Sequence, residues 1–241
     1  MKRKHARILV FAKAPVPGAV KTRLIPALGP RRAAALQARL IRHTLTTVAR
    51  SGLAWELWCH PHREHPLLAA CLRRACHAGH TPPGNPGHPP PGAPTLHTQV
   101  GRDLGARMAH GARTGLAGGP VILIGTDCPT LTAADLTRAS AALEGGHDAV
   151  LGPALDGGYY LLGLNRIHPS LFRDMAWGSD RVLAETRRRL EALGWRWWAL
   201  PPRRDMDRPA DLAFLGAAMP SMKRFPIPSP VAPSPAFGSK P

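Results

Sequence analysis

Acidic residues are scarce in this 241-residue chain: 15 Asp and Glu stand against 32 Lys and Arg, a formal net charge of +17. Long hydrophobic runs are missing as well. No apolar stretch approaches the roughly 20 residues a membrane-spanning helix needs, which excludes such a span. The basic start, MKRKHARILVFAKAPVPG, has the outline of a secretory signal. Its apolar stretch Ile8–Ala12 is shorter than the ~7–15 residues of a signal core, and Lys13 interrupts it, so a cytoplasmic protein is expected. The four cysteines (Cys59, Cys71, Cys76, Cys128) form no C-x-x-C pair and no secreted disulfide framework. Histidines crowd the stretch from Cys59 to His80, yet Cys71-x4-Cys76 lacks the tight, regular spacing of structural zinc sites. Half-buried thiols on a helix are the simpler reading. Aromatics are few, 5%, and no cluster interleaves them with arginine as a base-stacking groove requires.

What is abundant is arginine, and its distribution weakens the nucleic-acid reading that a basic chain first invites. Residues 1–7 contribute +4 and residues 220–241 contribute +3, leaving +10 for the body. The body's arginines are scattered through alanine-rich helical stretches such as Arg31–Arg39. A solvated basic surface has weak, salt-sensitive affinity for polyanions without specificity. No specific nucleic-acid partner is expected, and a non-enzymatic basic binding module is the distant alternative. The 44% hydrophobic content and the length suit one folded domain with a proper core.

Strand and helix patterns alternate along the chain, which predicts an α/β layered domain with a mostly parallel sheet. Arg7–Phe11 and Val121–Gly125 are continuous apolar runs of the buried-strand kind. Ala54–Trp58, Ala149–Leu151, Tyr159–Leu164 and Trp195–Leu200 read as further strands. Helices are predicted over Pro30–Arg50, Pro66–His77, Arg102–Leu116, from Thr132 to Gly145 through a Thr132/Asp135 capping box, and from a Ser179 cap to Leu193. A last helix holds Pro209 in its first turn. The segment His80–Pro94 holds seven prolines and cannot be regular structure. Residues 220–241 are proline-rich and read as a disordered tail, so one domain spans about 1–219.

Several short motifs follow predicted strands, where ligands bind in open α/β sheets. After the first strand, Gly18 permits close backbone approach, while Lys21 and Arg23 offer cationic donors to phosphate oxygens. The Walker A pattern is absent; a rigid proline turn with surface cations is the alternative. Asp127 ends the strand Val121–Gly125 and precedes Pro129, a place from which a carboxylate can hold Mg²⁺ together with substrate phosphates, or else close a turn. Asp205 and Asp207 follow the last strand and either can reach the same rim; Asp207 can equally cap the helix at Pro209. Asp156-Gly157-Gly158-Tyr159 is a tight turn that leaves space for a substrate or simply closes a hairpin. The stretch Gln99–Gly105 opens a helix and can bring Arg102 to an anion.

Five segments occur in order: Phe11–Leu24, Gln99–Gly105, Gly125–Leu131, Gly152–Tyr159 and Asp205–Leu212. Together they resemble the bacterial family of GT-A-fold transferases associated with radical-SAM proteins and labelled arsenosugar-biosynthesis glycosyltransferases, across roughly residues 7–215. The resemblance implies a Rossmann-like, three-layer nucleotide-diphosphosugar-transferase fold with a nucleotide pocket at the first-strand loop. Lys13, Gly18, Lys21, Thr22, Arg23 and Arg102 would then serve the nucleotide, and Gly157, Gly158 and Tyr159 the second substrate. Asp127 and Asp207 would face a Mg²⁺ or Mn²⁺ ion, and Asp127 and Asp156 would act in catalysis. The proline-rich segment and basic tail depart from the family pattern. Two reactions suit this pocket: glycosyl transfer from a nucleotide sugar, placed first, and nucleotidyl transfer from a nucleoside triphosphate to a phosphorylated acceptor. The expected partners are a nucleotide or nucleotide sugar and a small-molecule acceptor.

Overall fold

The unbroken apolar run at the start of the chain becomes a strand, β1 (Arg7–Lys13), buried on both sides. Ile8, Val10 and Ala12 face one core, while Leu9 faces the other with Phe11 packed beside it. A strand covered on both faces belongs at the centre of a parallel sheet, and that is its place. The computed structural model describes residues 5–78 and 94–218. The tail and all of the proline-rich segment except Pro94 lie outside those residues.

Six further strands follow: β2 (Trp55–His60), β3 (Thr95–Thr98), β4 (Val121–Ile124), β5 (Ala149–Pro153), β6 (Tyr159–Leu164) and β7 (Trp197–Ala199). They form one sheet in the order β3-β2-β1-β4-β6-β5-β7. Neighbours are parallel except at β6, which runs antiparallel to both β4 and β5. The reversal brings the start of β6, with Tyr159, to the rim where β1, β2 and β4 end.

The helices are α1 (Ile25–Leu28), α2 (Pro30–Arg50), α3 (Pro66–Ala78), α4 (Leu104–Leu116), α5 (Ala133–Glu144), α6 (Val182–Ala192) and α7 (Leu215–Ala218). α2, α3 and α5 cover one face, burying Ile41, Leu45, Val48, Leu68, Leu136 and Leu143. α4 and α6 cover the other through Met108, Ala109, Ala112 and Leu190. The result is the expected three-layer α/β fold. α2 runs over the predicted residues, with Pro30 in its first turn, where a missing N–H costs nothing.

Three local expectations change. β3 was not anticipated, because Thr-Leu-His-Thr is a short edge strand with no apolar run. α6 starts at Val182 with Arg181 as its N-cap, whose backbone is already helical; Ser179 Oγ only accepts the Arg181 N–H at 3.4 Å in the turn before it. The last predicted helix opens as a 3₁₀ turn over Pro209–Phe214, and the N–H groups of the two residues before it, Asp207 and Arg208, donate to Asp211 Oδ2 at 3.1 and 2.7 Å. Asp207 is therefore not the cap, and its side chain is free for other work.

Two devices place the site. A third apolar cluster, Leu24, Leu28, Leu36, Leu40, Met206, Leu212 and Leu215, ties the loop after β1 to the segment after β7. Asp135, fully buried, pairs with Arg203 at 2.5 Å and Arg138 at 2.7 Å, while the Arg203 N–H donates to the Pro153 carbonyl at 2.9 Å. This anchors residues 203–207 beside β5. The carboxyl of Asp135 is held below the usual aspartate range because its hydrogen bonds from Thr132 and Arg203, with the Arg203 charge, outweigh burial, the largest opposing influence. Thr132 completes the capping box, donating to Asp135 Oδ2 at 2.7 Å and accepting the Asp135 N–H at 3.2 Å. Thr132→Ala is expected to cost about 1 kcal/mol in a urea melt.

Candidate active site

A cleft of about 420 Å³ opens beyond the rim where β1, β2 and β4 end and β6 begins. Its chemistry follows the sheet order. On the β2–β1 side stand two cations, Lys13 at the end of β1 and Arg107 on α4, with the imidazole of His60 at the end of β2 between them in sequence. His60 titrates below the usual histidine range because burial, then the Arg107 and Lys13 charges, disfavour its proton. On the β4–β6–β5 side stand Asp127, Asp156 and Asp205. The sheet thus gives the cleft a positive half and a negative half.

The loop after β1 crosses between them. Gly18 has a φ of +82° with open space around it, a turn that favours glycine. Lys13 Nζ donates to the Ala19 carbonyl at 2.7 Å and so braces the loop. Lys21 takes a left-handed conformation, φ 47° and ψ 42°, just before the 3₁₀ turn Thr22–Leu24. Its side chain is only 3% exposed; Nζ donates to the Met206 carbonyl at 2.5 Å and lies 2.8 Å from Asp127 Oδ1. The contact with Asp127 is an ion pair without hydrogen-bond directionality, so that oxygen keeps unused accepting capacity. Arg23 Nη1 donates to Asp207 Oδ2 at 2.6 Å. Gln37, on α2, donates to Thr126 Oγ1 at 3.0 Å and steadies the turn that carries Asp127.

Asp205 is the most perturbed acid of the site. Its carboxyl is pushed up to about 7, mainly by burial and then by the neighbouring charges of Asp127 and Asp156, against the pull of Lys21. Its Oδ1 is enclosed and has no hydrogen-bond donor. Two enclosed carboxylate oxygens thus share one cleft, Asp205 Oδ1 without a donor and Asp127 Oδ1 with only the Lys21 ammonium beside it. Hard oxygens of this kind suit a divalent cation, and Mg²⁺ typically needs only one or two protein carboxylates beside substrate phosphates. Among the described residues no group of three or more His, Cys, Asp and Glu forms a ready-made metal cage. Cys128, next to Asp127, is a buried thiol pushed up to about 12 by burial, and so inert as a nucleophile.

On the far wall Gly158 N–H donates to Asp156 Oδ1 at 3.0 Å, and Asp156 is exposed. Gly157, φ +89°, rests against the Asp180 backbone, where a Cβ would collide with the carbonyl. It shapes the wall without lining the cleft. Tyr159 meets Trp177 edge to face at 6.4 Å, and its hydroxyl is enclosed without a partner.

The predicted residues Lys13, Arg23, Asp127, Asp156, Gly158, Tyr159 and Asp207 line this cleft, and Lys21 and Thr22 line the adjoining hollow of the loop. Arg102 does not join them. It precedes the Asp103 N-cap of α4, its side chain is 94% exposed, and it pairs with Asp103 at 3.4 Å. Arg107, on the helix itself, faces the cleft instead. Arg102→Ala is expected to leave nucleotide affinity unchanged in a calorimetric titration. The second acid expected at the metal, Asp207, meets Arg23, and Asp205 is the acid that shares the surroundings of Asp127. His60, Arg107 and Trp177 had not been singled out.

The matching family model covers residues 44–179 and is described as an uncharacterized protein conserved in bacteria, DUF2064. The chain belongs to this family. No curated protein matches the sequence. Among solved structures, a Desulfovibrio desulfuricans G20 protein provisionally named a nucleotide-diphospho-sugar transferase is 28% identical, with a TM-score of 0.74 over 91% of this chain and 88% of that one. Two others share the fold alone. A CMP:2-keto-3-deoxy-manno-octonic acid synthetase complexed with CTP is 11% identical, TM-score 0.52, over 90% of this chain and 99% of that one. A 4-diphosphocytidyl-2C-methyl-D-erythritol synthase from Anaerococcus prevotii DSM 20548 is 10% identical, TM-score 0.52, over 88% and 95%. This DUF2064 member therefore has the nucleotide-diphosphosugar and cytidylyltransferase fold. No helix among the described residues is long and apolar enough to cross a membrane.

Proposed function

We propose that the protein is a metal-assisted glycosyltransferase that uses a nucleotide sugar and a neutral hydroxyl acceptor. The observation that carries this reading is the charge division of the cleft. The cations Lys13, Arg107 and Arg23 come from the β1 and α4 side, with Lys21 in the adjoining hollow. The opposite wall, from the β5–β6 turn and residues 177–182, contributes to the cleft only Asp156, Gly158, Tyr159, Tyr160, Trp177, Gly178, Ser179 and Val182 among the described residues. A phosphorylated acceptor, which nucleotidyl transfer needs, would meet an acid on that wall, while the cations Arg204 and Arg208 line the neighbouring hollow that shares Asp156. An uncharged polyol can offer hydroxyls to Asp156 and an apolar face to Tyr159 and Trp177. The resemblance to the arsenosugar-type transferases supports the same order of preference.

In this reading Lys13, Lys21 and Arg23 bind the diphosphate oxygens, and Asp207 orients the Arg23 guanidinium. Asp127 and Asp205 would hold Mg²⁺ or Mn²⁺, which neutralises charge on the departing nucleoside diphosphate. Asp156, its Oδ1 fixed by the Gly158 N–H, takes the acceptor hydroxyl's proton through its other oxygen. The acceptor oxygen bonds to the anomeric carbon as the bond from that carbon to the phosphate oxygen breaks. The rings of Tyr159 and Trp177 wall the acceptor and shield it from water.

Nucleotidyl transfer is the second reading, and the shared fold with the CTP-bound synthetase favours it. A thermal-shift panel of nucleotide sugars and nucleoside triphosphates, with and without Mg²⁺, separates the two. A ligand at 100 times its Kd stabilises by about 2.7 kcal/mol, an easily read shift. Stabilisation by a nucleotide sugar but by no triphosphate is expected. The reverse pattern selects the second reading.

A further inference from the structure

Lys21 differs from the other cations of the site in being buried. Lys13 is exposed and Arg23 is 53% exposed, whereas the Lys21 side chain is 3% exposed. A buried ammonium needs close, fixed partners. Lys21 has Asp127 Oδ1 at 2.8 Å and the Met206 carbonyl at 2.5 Å, and its charge also acts on Asp205. The backbone is bent to put it there. A left-handed conformation is uncommon for a residue with a Cβ and persists only where surrounding structure enforces it. The enforcement is visible: Leu24 N–H donates to the Lys21 carbonyl at 2.8 Å, and Leu24 and Met206 pack in one apolar cluster. The ammonium thus stands at the carboxylate oxygen that a divalent cation would use.

We propose that Lys21 is a built-in counter-cation that occupies the cation position at Asp127, so that a divalent metal enters only together with a nucleotide whose phosphate oxygens draw the ammonium away. The proposal rests on the reading of the cleft as a nucleotide site. Its physical basis is exclusion of like charges. An ammonium and a divalent ion cannot share one shielded oxygen without strong repulsion, which low local polarity magnifies. A diphosphate supplies the oxygens that make room for both: some accept from Lys21 and others complete the metal's shell. Asp127 is charge-compensated by Lys21 in the free protein, and free metal is not retained. Metal and nucleotide binding are then coupled, each raising the affinity of the other by the same factor.

The test is a Mn²⁺ titration of the full chain followed by the electron paramagnetic resonance signal of free Mn²⁺, alone and with each of UDP, CDP, GDP and ADP. In the wild type, Mn²⁺ alone should bind weakly, and one of the nucleotides should tighten it at least tenfold. Lys21→Met removes the competing charge, so Mn²⁺ alone should bind at least tenfold tighter than in the wild type. Lys21→Gln, which can still donate to the Met206 carbonyl, is the companion variant should Lys21→Met not fold. Both should shrink the coupling between Mn²⁺ and nucleotide. Equal or weaker binding of Mn²⁺ alone by a folded Lys21 variant overturns the proposal, as does failure of wild type and variant alike to bind Mn²⁺. A wild type that binds none of the nucleotides overturns the nucleotide reading instead, while the Mn²⁺ contrast between wild type and variant still decides the role of Lys21.

Discussion

Asp127→Asn should reduce Mg²⁺-supported nucleotide affinity at least 100-fold, about 2.8 kcal/mol, while leaving metal-free nucleotide affinity undiminished. The two halves of this expectation have separate causes. In the proposed reading the carboxylate after β4 would face the metal, and an amide is a much poorer ligand for a hard divalent ion. Without that charge, Lys21 loses its ionic partner but keeps the Met206 carbonyl, so its ammonium is freer to meet phosphate. Asparagine preserves the side-chain volume beside Gln37 and Thr126, so the turn should survive. Some stability is nonetheless lost, since neutralising the half-exposed Asp127 leaves the buried Lys21 charge without its counter-ion. Isothermal titration with and without Mg²⁺, on protein shown to be folded by circular dichroism, checks both halves. Equal affinity of variant and wild type in Mg²⁺ sinks the metal assignment. A fall in metal-free affinity as well would mean that Asp127 holds the loop in place.

The motifs were legible because each ends a strand, and strand ends are local facts. Apolar runs place β1 and β4, and whatever follows them stands at the rim; this brought Lys21, Arg23 and Asp127 together without any knowledge of contacts. The same logic failed where a boundary slipped. Ending the second strand at Trp58 kept His60 off the rim, although β2 continues to His60. Starting a helix at Arg102 made that residue an anion donor, whereas the Asp103 cap leaves it in solvent and turns Arg107 inward. The choice between Asp205 and Asp207 was beyond any local pattern. Their separation by one residue sends them to different partners, and the partner of Asp207 is Arg23, 184 positions away in sequence. Tyr159 and Trp177 meet across the β5–β6 turn and the segment before α6, a long-range contact that periodicity cannot show.

Asp205→Asn should make the protein more stable than the wild type above pH 7 and no more stable near pH 4. The Asp205 carboxyl is pushed up to about 7 by burial and by Asp127 and Asp156, whereas in an unfolded chain an aspartate titrates near about 3.9. Between those values the folded protein holds a proton that the unfolded chain has released. The unfolded state binds fewer protons there, so this group's contribution falls as pH rises from about 4 to about 7 and is flat outside that window. The full shift corresponds to a loss of up to about 4 kcal/mol. His43 and His60 act in the opposite direction, because both titrate low mainly through burial and so add stability as pH rises towards the ordinary histidine value. The wild type's own pH profile therefore mixes the two. The difference between wild type and Asp205→Asn does not, since the histidines are common to both. Urea melts at pH 4, 5.5, 7 and 8 measure that difference, and the variant's advantage should grow across the window and level off at its upper end. A difference that stays constant with pH would show that Asp205 titrates as an ordinary carboxylate, and would remove the case for its crowding against Asp127. Added Mn²⁺ with a nucleotide should cancel the advantage, because a divalent ion compensates the charge that the amide only deletes.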